Sequence, residues 1–262
     1  MGGTLALYAR RGVEVHLVCA TRGEAGDVSP DCLEGFETVA ERRVYELRCA
    51  AGILGLAGVY FLDYRDSGML GTDDNQHPDA LCAAPVEQVA EEIAEYIREL
   101  KPQVVLTFDP IGGYMHPDHI AVHQATVGAF QLAGDGRLNS DLPPFQPQKL
   151  YFHVIPKGLL RMGLSLLSLF GRDPRKFGRN QDIDLLAIVE QGEFPVHASI
   201  DVREVREERD QASACHASQL GGMPRRGPVS WVLSWFNRRE HFMRAIPEAG
   251  TGTRERDLFE KL

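Results

Sequence analysis

Apolar residues along this chain recur at two periods, and the two periods alternate. From Gly2 to Arg11, Leu5, Ala6 and Ala9 fall at helical spacing and the run stops at Gly12, a C-cap residue; Val13 to Ala20 then alternates and turns wholly apolar, as a strand does. Thr38 to Leu54 returns to the helical period through Val39, Val44, Leu47, Ala50 and Ala51, and Val59 to Leu62 after Gly55 is a second strand. Pro85 opens a helix carrying Val89, Ile93, Tyr96, Ile97 and Leu100 that stops before Lys101-Pro102, and Gln103 to Phe108 is a third strand. Asp118 stands in the N-cap place of a further helix that reaches about Ala133. Downstream, Leu150 to Ile155 and Phe194 to Val202 are strands, Arg203 to Gln219 is a charged helix, and a last helix over Val229 to Met243 carries Trp231, Trp235 and Phe242.

Helices and strands alternating over short links predict an α/β fold, a Rossmann-like, doubly wound, mostly parallel sheet flanked by helices. The 262 residues, 44% of them hydrophobic, can build one core, so 1–262 is expected to be a single domain with 203–262 as a C-terminal helical extension. A formal charge of −9, without long Lys and Arg runs, argues against nucleic acid as a partner. Cys19, Cys32, Cys49, Cys82 and Cys215 are odd in number and scattered, with no C-x-x-C pair, so neither a disulfide framework nor a cysteine zinc site is expected, and a reducing cytoplasm fits. The most apolar stretch, Gly158 to Gly171, is too short and too interrupted to cross about 30 Å of hydrocarbon and is read as a buried helix or a lid. These bounds leave a small-molecule substrate, no stable membrane insertion, and room for a homo-oligomer.

The chemistry concentrates in Thr107 to His123, T-F-D-P-I-G-G-Y-M-H-P-D-H-I-A-V-H, where a strand, a glycine turn and a helix start follow one another. In an open α/β sheet, ligands bind at the carboxyl ends of strands. Two other polar loops lie at such ends: Thr21 to Asp27, with Arg22 and Glu24, and the long connection from Asp63 through His77-Pro78-Asp79, which has the length of a lid or substrate loop. His119 and His123 are four apart and share a helix face, a spacing that serves a metal. One histidine pair is half a site, because catalytic zinc takes about three protein ligands from more than one element. The spacing equally suits an exposed His123 with His116 and His119 as capping or packing groups.

The string G-G-Y-M-H-P-D-H after an apolar strand resembles the H-P-D-H motif of the PIG-L/LmbE family of zinc-dependent sugar N-deacetylases. Thr21-Arg22-Gly23-Glu24-Ala25-Gly26 is similar to that family's T-R-G-E-x-G loop, Gly2-Gly3-Thr4-Leu5 to the start of its first helix, and Tyr64 to Met69 to the substrate loop of its mycothiol-pathway branch. Order and spacing agree from about Gly2 to Thr126, and His216-Ala217-Ser218-Gln219 is similar to the family's late H-x-S-Q. The resemblance implies zinc as cofactor, His119 as its histidine ligand, and His116 as the group that stabilises the oxyanion and protonates the leaving amine, work suited to an imidazole. It implies Asp118 as an orienting acid, an alternative to N-capping, and Tyr114 as a second donor to the oxyanion. Arg43 and Asp66 would hold sugar or inositol hydroxyls, with Arg22 and Glu24 also on the substrate side.

The sequence departs from the family at one place. The family's H-P-D-D-E segment lies a few residues before the M-G-G-T that is here residues 1 to 4, and in relatives it supplies two zinc ligands and the carboxylate base. His119 would then be a lone ligand, two strand edges would be orphaned inside the core, and turnover by this chain would be impaired. The expectation is a truncated or mis-started reading of a full enzyme, with a degenerate paralogue as the rival. Mycothiol S-conjugate amidase and a non-catalytic sugar-binding pseudoenzyme are the alternative functions. A nucleotide-binding domain lacks support, since there is no G-x-G-x-x-G or P-loop.

Overall fold

The first helices start and stop on residues suited to the task. The computed structural model describes the chain except residues 159, 162–163, 165–172, 177–183 and 221–237. Helix α1 (Gly2–Arg10) ends before Gly12, whose φ is +83°. Its free N-terminal amides are taken up by a carboxylate from the far end of the chain: Glu240 accepts Gly3 N at 3.0 Å and Thr4 N at 2.8 Å. A Cβ on Gly3 would lie 2.8 Å from Val202 Cβ, so the glycine permits this close docking. Strand β1 (His16–Thr21) follows, then α2 (Val39–Leu54), which opens on a Thr38/Glu41 capping box and closes on left-handed Gly55. Next come β2 (Gly58–Tyr64), α3 (Val86–Leu100) and β3 (Val104–Phe108). The chain continues through α4 (Pro117–Leu132), β4 (Lys149–Val154), α5 (Leu185–Glu190), β5 (Ala198–Asp201), α6 (Arg206–Cys215) and β6 (Arg239–Ile246).

The strands form two sheets, β1-β2 and β3-β4-β6-β5. Both share the same helix layers. Ala20 of β1, Leu62 of β2 and Val105 of β3 pack with α3 and α4, while Val15, Val104 and Leu106 pack with α1. Among the described residues β1 and β3 do not pair with each other. Most of both strands is only half-buried, whereas Leu150, Tyr151, Phe152 and Val154 of β4 are buried.

Three expectations need correction here. The sheet is not mostly parallel: β1-β2 and β3-β4 are parallel, but β6 runs antiparallel to both β4 and β5. Periodicity identifies a strand and says nothing of its direction. The helix expected over Val229 to Met243 is strand from Arg239 onward, with Phe242 fully buried between sheet neighbours, and residues 229–237 lie outside the described residues. Within 203–262, Arg206–Cys215 is helix α6 and Arg239–Ile246 is β6, which sits inside the four-stranded sheet. Finally, Cys49 and Cys215 form a disulfide, with Cα atoms 6.0 Å apart across 166 residues of sequence, a pairing no local spacing could reveal. Most of 158–171 lies outside the described residues.

Candidate active and metal site

Beyond β3, the turn is held from inside. Asp109 is buried, and its Oδ1 accepts Ile111 N at 3.2 Å and Gly113 N at 2.8 Å. Burial pushes its carboxyl above the usual range, against the pull of those two amides. Gly112 and Gly113 take φ of +64° and +73°, and a Cβ on Gly112 would meet His119 Cβ at 2.8 Å. Only glycine lets the turn pass this close to α4. Met115, at φ +68°, then delivers His116 to the helix start.

His116, not Asp118, is the N-cap of α4: its Nδ1 accepts the Asp118 amide at 3.2 Å. Pro117 takes N1, where a missing N–H costs nothing, and this places Asp118 inside the first turn. The Asp118 carboxyl is thereby free to turn toward β2, where its Oδ2 accepts Ser67 N at 3.2 Å. Its Oδ1 is buried and has no hydrogen-bond partner among the described residues. Burial, with the neighbouring Asp66 carboxyl adding to it, pushes the Asp118 pKa up to about 7, against the hydrogen bond from Ser67.

His119 Nδ1 lies 3.0 Å from Gly112 O. A carbonyl only accepts, so Nδ1 carries the proton and Nε2 keeps its lone pair. The ring stacks on Phe108 at 3.9 Å and 10°, and burial followed by the nearby His116 holds its pKa down to about 4. His123, the other member of the sequence pair, makes the same kind of bond to a different end. Its Nδ1 is 2.8 Å from Phe108 O and its ring meets Phe152 edge-on, so it is buried and ties α4 to β3. Tyr114 stands edge-on to both His116 (5.8 Å) and His119 (5.0 Å).

From the end of β2, buried Asp66 completes the cluster. One ligand atom each from Asp66, His116 and Asp118 lies within 4.8 Å of the others. Two carboxylates and an imidazole make a three-donor set of the type that catalytic zinc accepts. The Asp118 oxygen that has no donor among the described residues, beside the Asp66 carboxyl, is an acceptor that a cation would take up. The residues present therefore fit a divalent cation. His119, the ligand expected from the motif, is outside that set of three, although its ring is 5.0 Å from that of His116.

The remaining expected residues divide. Arg43 of α2 reaches in, with Nη1 3.8 Å from Asp66 Oδ2, and its guanidinium fills the space over Gly23 and Gly26 that side chains would occupy. Glu24 Oε2 accepts Asp66 N at 3.3 Å. Arg22 points away, paired with Asp63 and lying 4.9 Å over Phe61. His77, Pro78 and Asp79 line, with Glu24, Arg65 and Gln88, a cavity of about 580 Å³. Sequence reasoning gave no role to Ser67, whose amide meets Asp118 and whose Oγ accepts Cys82 N at 2.9 Å, although it lies in the Tyr64 to Met69 stretch likened to a substrate loop. It also missed Asp109, for which an aspartate directly after a strand and before Pro-Ile-Gly-Gly was an available Asx-turn signal.

Comparison with known proteins bears on the same residues. The family described as PIG-L: GlcNAc-PI de-N-acetylase matches residues 1–130, a span that contains every predicted site residue. A 1D-myo-inositol 2-acetamido-2-deoxy-alpha-D-glucopyranoside deacetylase of Rhodococcus erythropolis is 33% identical over 279 residues, covering 98% of this chain and 91% of the relative. One of the same description from Kineococcus radiotolerans is 43% identical over 189 residues, 66% of this chain and 52% of the relative. Among solved structures, N,N'-diacetylchitobiose deacetylase from Pyrococcus horikoshii superposes with a TM-score of 0.60 at 18% identity, covering 93% of this chain and 77% of that one. A conserved protein from Thermus thermophilus gives 0.58 at 19%, covering 96% and 90%. At these identities the two structures establish a shared fold.

Proposed function

This chain belongs to the PIG-L family of de-N-acetylases, and we propose that it is a zinc-dependent hydrolase that removes the acetyl group from a glucosamine-containing small molecule. The substrate we assign is the N-acetylglucosaminyl inositol named for its relatives, with a cytoplasmic location. The observation that carries the reading is the convergence of Asp66, His116 and Asp118 with His119 and Tyr114 at the strand ends.

The two histidines differ in tautomer, and the difference assigns their roles. His116 Nδ1 accepts an amide, so in the neutral ring its proton is on Nε2; His119 Nδ1 donates to a carbonyl, so its Nε2 is bare. Proximity alone groups His116 with the two carboxyls. The tautomers instead favour His119 beside Asp66 and Asp118 as holders of the ion, leaving His116 as a hydrogen-bond donor. A divalent cation bound there would polarise the amide carbonyl and lower the pKa of water toward about 7. His116 Nε2–H is placed to donate a hydrogen bond to the developing oxyanion, with Tyr114 beside it, and the leaving amine would take the proton that the attacking water gives up. Arg43 and Glu24 border the space for the sugar.

The test is acetate release from the N-acetylglucosaminyl inositol, from N-acetylglucosamine and from a mycothiol S-conjugate, with and without zinc after chelation. Zinc-restored release from the first supports the assignment. Preference for the conjugate would make it an amidase, and stoichiometric zinc without release from any of them would make it a binding protein.

A further inference from the structure

We propose that Cys49–Cys215 is a reversible thiol–disulfide switch that sets how firmly the His216–Gln219 segment is held against the Arg43 side of α2. The geometry starts on one helix. Arg42, Glu46 and Cys49 of α2 follow at i, i+4 and i+7 and share a face, and Arg43 is one turn before Glu46. Glu46 is buried and its carboxylate takes three donors: Ser218 N at 2.8 Å, Ser218 Oγ at 2.7 Å and Arg42 Nε at 3.0 Å. One turn further on, Cys49 is bonded to Cys215, the last residue of α6. The segment His216 to Gln219 is thus pinned twice, covalently at its start and by a buried carboxylate at Ser218.

This joint leads to the site. Arg43 and Glu46 are both near enough to act on the His216 imidazole, and Arg43 is the residue that reaches Asp66 at 3.8 Å. Holding α6 on α2 therefore fixes the helix that carries Arg43. The bridge is open to attack, because Cys49 is exposed and Cys215 only half-buried, and exposed disulfides are the ones that small thiols exchange. Cys19, Cys32 and exposed Cys82 stay as thiols in the same molecule, so oxidation is confined to the pair that the fold brings together.

The reaction is thiol–disulfide exchange with a low-molecular-weight thiol. Its thiolate attacks Cys49 Sγ, the bond to Cys215 breaks, and Cys215 leaves as a thiolate that takes a proton. A second small thiolate attacks the mixed disulfide and frees Cys49. Two small thiols become one disulfide while the protein gains two thiols, and the reverse exchange with that disulfide restores the bridge.

The test equilibrates the whole protein across ratios of reduced to oxidised dithiothreitol, with alkylation and mass spectrometry counting thiols and hydrogen exchange reporting on the joint. We expect Cys49 and Cys215 to become alkylated together and the amides of Arg206 to Gln219 to exchange about tenfold faster on reduction, with α3 and α4 unchanged. The doubly substituted Cys49→Ser/Cys215→Ser protein should show the fast pattern at every ratio. A bridge that resists reduction until the protein unfolds, or exchange rates equal in both states, overturns the proposal. The effect on catalysis rests on the proposed deacetylase activity: reduction should raise KM about threefold and leave kcat within about twofold. Redox-sensitive exchange with no measurable acetate release would uphold the switch and refute the activity.

Discussion

Replacing Glu46 by glutamine should destabilise this protein by about 3 kcal/mol at pH 7, although the side chain keeps its volume. The wild-type carboxylate is fully buried and accepts three hydrogen bonds, two from Ser218 and one from Arg42. An amide offers one oxygen, enough for Ser218 N and Arg42 Nε, and its NH2 can meet Ser218 Oγ only with that hydroxyl turned to accept, so all three bonds lose their charge. Each lost bond to a charged group costs roughly 1.5–3 kcal/mol, and Arg42, 19% exposed, recovers part of its loss by turning to water. Burial alone would raise the Glu46 pKa, but the Ser218 and Arg42 donors together hold it below the ordinary 4.5. A carboxylate with a depressed folded pKa contributes stability above its unfolded pKa and loses it as the pH falls through the folded value. Urea melts at pH 7 should therefore show a lower midpoint for Glu46→Gln at constant m, and the gap should narrow below about pH 4.5. Overlapping melts at pH 7, or a gap that does not change with pH, would refute the buried-carboxylate account.

Three further substitutions test the site directly. Gly112→Ala places a methyl group 2.8 Å from His119 Cβ on backbone with φ +64°, so zinc affinity in a chelator competition should fall about tenfold or more; an unchanged affinity would mean that the turn does not position His119. His116→Gln should lower kcat about 100-fold or more while zinc stoichiometry is retained, whereas His119→Gln should lose the metal. The reverse pattern in the metal content of the two variants would exchange their roles.

Much of the fold up to α4 was legible because capping chemistry and periodicity agree there. Gly12, the Thr38/Glu41 box, Gly55 and Pro85 mark boundaries that fell within a residue or two of those expected. Beyond α4 the local pattern no longer decides. Phe242 and Met243 match either period, and what makes them strand is the slot between β4 and β5, a non-local fact. The same separation hid the 166-residue disulfide and the Glu46–Ser218 pair, which join the two ends of the chain. The site was legible as a string and not as a geometry. His116, Asp118 and His119 come from a single motif, but the partner that pairs with Asp118 is Asp66, 52 residues earlier. Arg22 carries the same charge as Arg43 and stands closer to the expected loop, yet it points to Asp63, because β1 turns its end toward the edge of β2.

Local backbone chemistry, rather than distance, decides what the two histidines can do. They are three residues apart and their rings are 5.0 Å apart, so spacing and proximity treat them alike. The backbone does not. His116 precedes a helix whose first amides need an acceptor, and its Nδ1 becomes that acceptor, which puts the proton of the neutral ring on Nε2. His119 sits one turn into the same helix, under a glycine turn whose left-handed backbone aims Gly112 O at the ring, and its Nδ1 must donate. One helix start thus produces an N–H hydrogen-bond donor and a bare nitrogen side by side. Pro117 makes this possible by removing one amide and moving the cap from Asp118 to His116, which also leaves the Asp118 carboxyl free to lie beside Asp66.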